Sequence, residues 1–375
     1  MQLTPAWCTL AFRSRGFLGP DEAVTNIGLK PLGEGEGEFS ELVLLNITGV
    51  QGACARLPRH LVAKFSPPTM SSLELSGVFS PEAHFYNDFT VASAGLVRPE
   101  AIYVGFLKRG RCQKPLYCFV MESACPPTTP TRSFKRVDGC DSLEHIMLSM
   151  KTLAKFHARW WNMDNKGAHG NSFIHPDCAG GALPVLPKTI SHTAWLLGLK
   201  NGLKALPHCF STRPPYAGAP QFGEQYALFI QAVRPIARRR RLAIVRELHR
   251  HPLTLTHGDA HLENIFFGEQ YPGGCAFIDF GLTMFGQALS DVATILGGGL
   301  PIEMRREKEK ALVEHYHQCL CDFGVEGCAH SPPLRALHAE HHASPSTAWC
   351  LSGTPLSCVA SRSPPFCRYI RAVLA

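Results

Sequence analysis

Hydrophobic and polar positions follow two different rhythms along this chain. Between residues 24 and 66 apolar residues come in short runs broken by glycine and proline. "GLKPLGEGEGEFSELVLLNI" places three alternating glycines before a β-rich run that ends near Ile47, and "RHLVAKF" is a second run between Pro58 and Pro67. This spacing predicts strand, glycine turn, strand, connection, strand. "SPEAHFYNDF" predicts a helix start, with Ser80 as cap, Pro81 at the first helical position and Glu82 next. "KPLYCFVMES" is a continuous apolar run and predicts a buried strand that breaks at "ACPPTTP".

From Asp141 the period changes to that of a helix. "DSLEHIMLSMKTLAKFHARWW" has apolar residues at Leu143, Ile146, Met147, Met150, Leu153, Ala154, His157 and Trp160/Trp161, after an Asp/Ser cap with Glu144. Residues 165–220 are rich in Gly, Pro, His and Asn and show no period. "FGEQYALFIQAVRPIARRRRLAIVRELHRHP" predicts helices interrupted at Pro235. Two short strands follow, around Ile265–Phe267 and Cys275–Ile278, joined by "GEQYPGG". "SDVATILGGGL" and "EMRREKEKALVEHYHQCLCDFG" are helical again. Residues 329–375 contain no lysine, one acidic residue and no sustained period, and read as an atypical, poorly ordered tail.

Composition narrows the class. The 375 residues exceed what one hydrophobic core usually needs, so two lobes are expected. Hydrophobic residues at 45% and charged residues at 18% belong to a folded globular chain, and a net charge of +7 suits anionic ligands without demanding nucleic acid. The run Arg238–Arg241 has no interleaved aromatics and reads as a solvated helix face, not a nucleic-acid site. The fifteen cysteines form no C-x-x-C pair, which removes zinc ribbons and thioredoxin-like chemistry. No apolar run reaches the roughly 20 residues of a membrane span, and the N-terminal apolar stretch is too short for a secretory signal. No membrane association and a cytoplasmic location are expected.

The chemistry concentrates in "LTHGDAHLENIFF", residues 255–267. Asp259 and Asn264 form D-x-x-x-x-N, and "FIDFG" brings Asp279 to the end of the following strand. Phosphoryl transfer has a use for each. One carboxylate orients a hydroxyl and accepts its proton, while an amide oxygen and a second carboxylate hold Mg²⁺ against the phosphates. The alternating His257, Asp259 and His261 are a rival metal set, unsupported by any further histidine motif.

"HGDAHLEN" with "IDFG" and the later "DVA" resembles the motif of the aminoglycoside phosphotransferase / choline kinase superfamily, and within it the CHK kinase-like (ecdysteroid kinase-like) group. The resemblance implies an α+β, two-lobed protein-kinase-like fold: an antiparallel-sheet N-lobe over residues 23–122 after an extension, 1–22, and a mostly helical C-lobe over 123–328. It implies ATP and Mg²⁺ as cofactors and a small-molecule hydroxyl as acceptor. Residue by residue, it makes Asp259 the catalytic base, Asn264 and Asp279 the metal ligands, His257 the loop support and Asp291 the acid that braces the loop. Lys64 would touch the phosphates, aligned by Glu82 (with Glu74 as fallback). Gly33, Gly35 and Gly37 would cover the phosphates, although Glu34, Glu36 and Glu38 sit between and beside them. Met121, Glu122 and Ser123 would form the hinge that receives adenine.

Glycine at 258 replaces the arginine of the protein-kinase loop, and only eleven residues separate Asp279 from Asp291, too few for a peptide-docking segment. A small acceptor is therefore expected: an aminoglycoside, a choline-like alcohol, a sugar or a steroid. Trp160, Trp161 and Trp195 could box a cationic acceptor or simply pack. The alternative is a catalytically impaired kinase-like nucleotide-binding or scaffold protein. His157 reads as a satisfied core histidine, and "HAEHH" in the tail as no organised metal site.

Overall fold

A computed structural model describes residues 3–32, 40–66, 79–89, 95–107, 116–134, 140, 142–161, 172–174, 182–184 and 252–325. Gly33, Gly35, Gly37, Glu74, Trp195, Arg238–Arg241 and the tail lie outside the described residues.

The chain opens with a helix that the sequence pattern did not announce, α1 (Pro5–Arg13). Thr4 caps it by accepting the N–H of Trp7 at 3.2 Å, and Pro5 sits in the first turn, where a missing N–H costs nothing. Cys8, Ala11 and Phe12 are buried, whereas Leu10 is 68% exposed. Nine residues make little more than two turns, too short for a clear period to show. The buried stripe lies on one face of the sheet.

That sheet has five strands: β1 (Ala23–Pro31), β2 (Glu41–Gln51), β3 (His60–Phe65), β4 (Ala101–Leu107) and β5 (Leu116–Glu122), in the order β1-β2-β3-β5-β4. All neighbours are antiparallel. Alternation decides what each face carries. Leu61, Ala63, Cys118 and Val120 join the cluster beneath α1 with Cys8, Phe12, Leu45 and Ile47. Tyr117, Phe119 and Met121 join the opposite cluster, with Val62 packed against it. Lys64 follows Val62 by two residues, so the pleat sends it to that second face. Both faces of β5 are covered, which is why its sequence is continuously apolar.

Helix α2 (Ser80–Asp88) covers the second face with Ala83, Phe85 and Tyr86. Ser80 was expected to cap it; instead Phe79 holds the cap position and Ser80 is the first helical residue. A proline is tolerated throughout the first turn, so Pro81 did not fix the start to one residue.

The same cluster continues into the C-terminal part. It runs through α3 (Leu143–Arg159), α4 (Leu289–Gly299) and α5 (Ile302–Asp322) by way of Ile146, Leu153, Trp160, Ile295, Leu296 and Tyr316. Two short strands, β6 (Ser172–Ile174) and β7 (Ala182–Pro184), pair with each other. Between α3 and α4 lie β8 (Thr254–Thr256), a 3-10 turn (Leu262–Asn264), β9 (Ile265–Phe267), β10 (Cys275–Phe277) and β11 (Met284–Gly286). The strands pair as two small antiparallel ribbons, β9 with β10 and β8 with β11. Helix α4 ends against the 3-10 turn: a Cβ on Gly299 would lie 3.1 Å from Leu262 Cγ. Among the described residues no helix is long and apolar enough to cross a membrane.

If α1 is part of the sheet's core, Phe12→Ala should lower unfolding free energy by about 3 kcal/mol in urea titration, while Leu10→Ala changes it by less than about 0.5 kcal/mol. Equal effects of the two substitutions would show that α1 is not packed there.

Candidate active site

The first pieces meet at Lys64. Its ammonium lies 2.7 Å from Glu82 Oε2 and 2.9 Å from Asp279 Oδ1. Strand β3, helix α2 and the turn after β10 therefore share one cation. Lys64 and Glu82 are buried, while the Asp279 side chain is 42% exposed. Burial favours loss of the Lys64 proton, but the charges of Asp279 and Glu82 outweigh it and raise its pKa. Burial pushes the Glu82 carboxyl up to about 7, against the pull of Lys64. One ammonium between two carboxylates leaves the trio one negative charge in excess only when Glu82 is ionised. Asp279 has a positive φ of 63°, a conformation Asp tolerates better than most residues.

The loop after β8 is fastened from behind. Asp291 Oδ2 accepts the N–H of His257 at 2.7 Å and Asp291 Oδ1 the N–H of Gly258 at 2.9 Å. Gly258 has φ +83°, and a Cβ there would meet the carbonyl oxygen of Leu282 at 2.0 Å. Only glycine permits this approach. His257 is buried with both ring nitrogens engaged. Nε2 donates to the carbonyl of Ile278 at 2.9 Å, and Nδ1 accepts the N–H of Asp259 at 3.2 Å. Those partners fix a neutral ring, and burial holds its pKa below the ordinary value despite the opposing pull of Asp291 and Asp259. His257 therefore has no nitrogen left for a metal. Among the described residues no group of three or more His, Cys, Asp or Glu is placed to hold an ion, so the rival H-x-D-x-H site does not form.

Asn264 closes the 3-10 turn and is buried. Its Nδ2 lies 3.0 Å from the carbonyl oxygen and 3.3 Å from the carboxylate Oδ2 of Asp259. With its amide nitrogen so engaged, its amide oxygen is the atom available to a cation. Asn264 Oδ1 and the half-exposed carboxylate of Asp279 are hard oxygen donors, and they fit Mg²⁺, which takes few protein ligands and completes its shell with phosphate and water.

Where a hinge was expected, the N–H groups of Glu122 and Ser123 already donate, to the carbonyls of Glu100 and His60, each at 2.9 Å. Met121 is buried, with the Tyr86 hydroxyl 3.5 Å from its sulfur. Tyr271, in the β9–β10 connection, donates its hydroxyl to the carbonyl of Ala124. The structure thus brings Lys64, Glu82, Asp279, Asp259, Asn264, His257 and Asp291 into one connected set.

A further residue joins that set through Asp291 and was not expected to. His157 is buried and satisfied, as expected of a core histidine, but one of its partners is Asp291, which holds the loop carrying Asp259. Nε2 lies 3.1 Å from Asp291 Oδ2, and Nδ1 lies 2.6 Å from the Tyr316 hydroxyl. Its carbonyl also accepts the Thr254 hydroxyl at 2.7 Å, at the start of β8. The available signal was a histidine on the apolar face of one helix and a tyrosine on that of another, which sequence cannot pair. Trp160, a candidate for an acceptor box, is fully buried edge-on to Phe89 and belongs to the core.

The ecdysteroid kinase-like family model matches residues 40–324. Among solved structures, choline kinase from Cryptosporidium parvum Iowa II aligns with a TM-score of 0.52 at 13% identity, over 93% of this chain and 87% of that one. Ethanolamine kinase from Plasmodium vivax aligns at 0.49 and 12% identity, over 93% and 80%. The choline kinase likeness shows the fold, the two-lobed protein-kinase-like α+β arrangement. No curated protein matches the chain.

A neutral buried His257 makes a definite pH statement. Its folded pKa lies below the unfolded one, so the unfolded state binds the proton more readily and stability falls as pH drops through the ordinary histidine range near 6.5. Melting temperatures between pH 5 and 8 should show a shallower acid-side loss in His257→Gln than in the wild type. Gly258→Ala should lose several kcal/mol or misplace the loop, measured by chemical unfolding.

Proposed function

The chain belongs to the ecdysteroid kinase-like family, whose model matches residues 40–324, and on that premise we propose that it moves the γ-phosphoryl group of ATP to a hydroxyl of a small molecule. The observation that carries this reading is the Lys64 ammonium 2.9 Å from Asp279, an arrangement that suits a carboxylate holding a metal beside a lysine meeting phosphates.

Asp259 orients the acceptor hydroxyl and takes its proton as the hydroxyl oxygen bonds to the γ-phosphorus. The bond from that phosphorus to the bridging oxygen breaks, and ADP leaves with the electron pair. Mg²⁺ held by Asn264 and Asp279 would offset charge on the phosphate oxygens. Lys64, kept in place by Glu82, meets the phosphates from β3. Because the Glu122 and Ser123 donors are spent, we take the next main-chain donor, the N–H of Ala124, as the adenine contact. The carbonyl of the same residue is held by Tyr271. The glycines at 33, 35 and 37 complete the proposal as a cover over the phosphates. We place the reaction in the cytoplasm, where ATP is available and thiols stay reduced.

The test is ADP release across a panel of hydroxyl acceptors: choline, ethanolamine, aminoglycosides, sugars and steroids. At least one should be phosphorylated, and Asp259→Asn should reduce that turnover by about 10²–10⁴-fold while Mg²⁺–ATP binding persists. Wild type and variant turning over equally across the panel would leave a nucleotide-binding protein without phosphotransfer.

A further inference from the structure

His261 sits inside this set without a role in the reaction as described. It takes the cap position of the 3-10 turn with extended backbone, φ −87° and ψ 160°. Its ring is therefore delivered between Asp259, two residues before, and Asn264, three residues after. It is only 7% exposed. Nε2 lies 3.1 Å from Asn264 Nδ2 and 3.4 Å from Asp259 Oδ2. Nδ1 is buried and, among the described residues, has no hydrogen-bond partner; Glu263 Oε2 is 3.9 Å away.

A filler of this space would be better as an apolar residue. A buried imidazole nitrogen without a partner is a cost that phenylalanine or leucine would avoid. What the histidine adds is Nε2, within reach of both catalytic-loop side chains. Those two must face different partners, a hydroxyl and a cation. The two N–H hydrogens of Asn264 meet three acceptors: the Asp259 carbonyl, the Asp259 carboxylate and His261 Nε2. The third belongs to a residue that takes no part in the reaction. It keeps the donor edge of the amide turned inward and its oxygen available. We propose that His261 is a positioning residue, whose Nε2 sets Asn264 against Asp259 for metal binding. The inference rests on the phosphotransfer reading above.

Two substitutions separate the nitrogens. The glutamine amide reaches the place of Nε2, and the asparagine amide reaches only that of Nδ1. The measurement is the Mg²⁺ concentration that half-saturates binding of a fluorescent ATP analogue, beside the analogue's affinity without Mg²⁺ and the unliganded melting temperature. His261→Asn should raise the Mg²⁺ half-saturation about tenfold at unchanged Mg²⁺-free affinity, and His261→Gln should stay within about twofold of wild type. His261→Phe, which keeps the ring volume, should behave as His261→Asn and carries the comparison if the smaller side chain prevents folding. Lower melting temperatures with an unchanged Mg²⁺ requirement, or equal shifts in the Gln and Asn variants, overturn this inference and leave phosphotransfer standing. A wild type that binds the analogue with no Mg²⁺ dependence overturns both.

Discussion

One buried ammonium holds the halves of this molecule in register. Lys64 is fixed by the pleat of β3, Glu82 by α2 and Asp279 by the turn after β10, and the two ion pairs link all three. A lysine is rarely buried without partners, so each carboxylate is a condition for the burial of the cation. Packing reinforces the link. Phe280, next to Asp279, stacks on Phe85 of α2 with centroids 4.0 Å apart. Arg98 lies over the Tyr86 ring at 4.8 Å and donates to the carbonyl of Phe89 at the helix end, where a cation favours the exposed carbonyls. Position and orientation of α2 are thus set from both sides.

A second frame holds the loop that carries Asp259. Asp291 from α4 takes two loop N–H groups, His157 from α3 bonds to Asp291, and Tyr316 from α5 bonds to His157. Three helices reach the loop through polar groups that are almost wholly buried. Gly258 lets the loop backbone close on Leu282, and His257 ties it to Ile278. The loop backbone beneath Asp259 is thus held by residues other than Asp259 itself.

Much of this was legible in the sequence, for reasons that differ by element. Helix α3 gave a clear period because its 17 residues bury one stripe. The run "LYCFV" read as a buried strand because α1 and α2 cover both its faces. The strands at 265–267 and 275–277 showed through the turn residues between them. By contrast, α1 was too short to announce itself, and β4, β8 and β11 were missed because a few apolar residues fit several structures equally well. Asp259, Asn264 and Asp279 stood out in the sequence because phosphoryl transfer would need those residue types at that spacing, and the hairpin between β9 and β10 does bring their segments together.

The sequence alone determined that the segments of Asn264 and Asp279 meet, because residues close in the chain and joined by one hairpin must come close in space. It also determined that Lys64 lies on the face opposite Ala63, because a strand alternates. Tertiary structure decided everything that depends on distant segments. It brought Glu82, the expected partner, to Lys64, spent the Glu122 and Ser123 donors within the sheet, and made a core histidine, His157, part of the loop's support. The separation between His157 and Asp291 is 134 residues, and no local rule reaches that far. Only the packing of α3 against α4 and α5 puts the two side chains in contact.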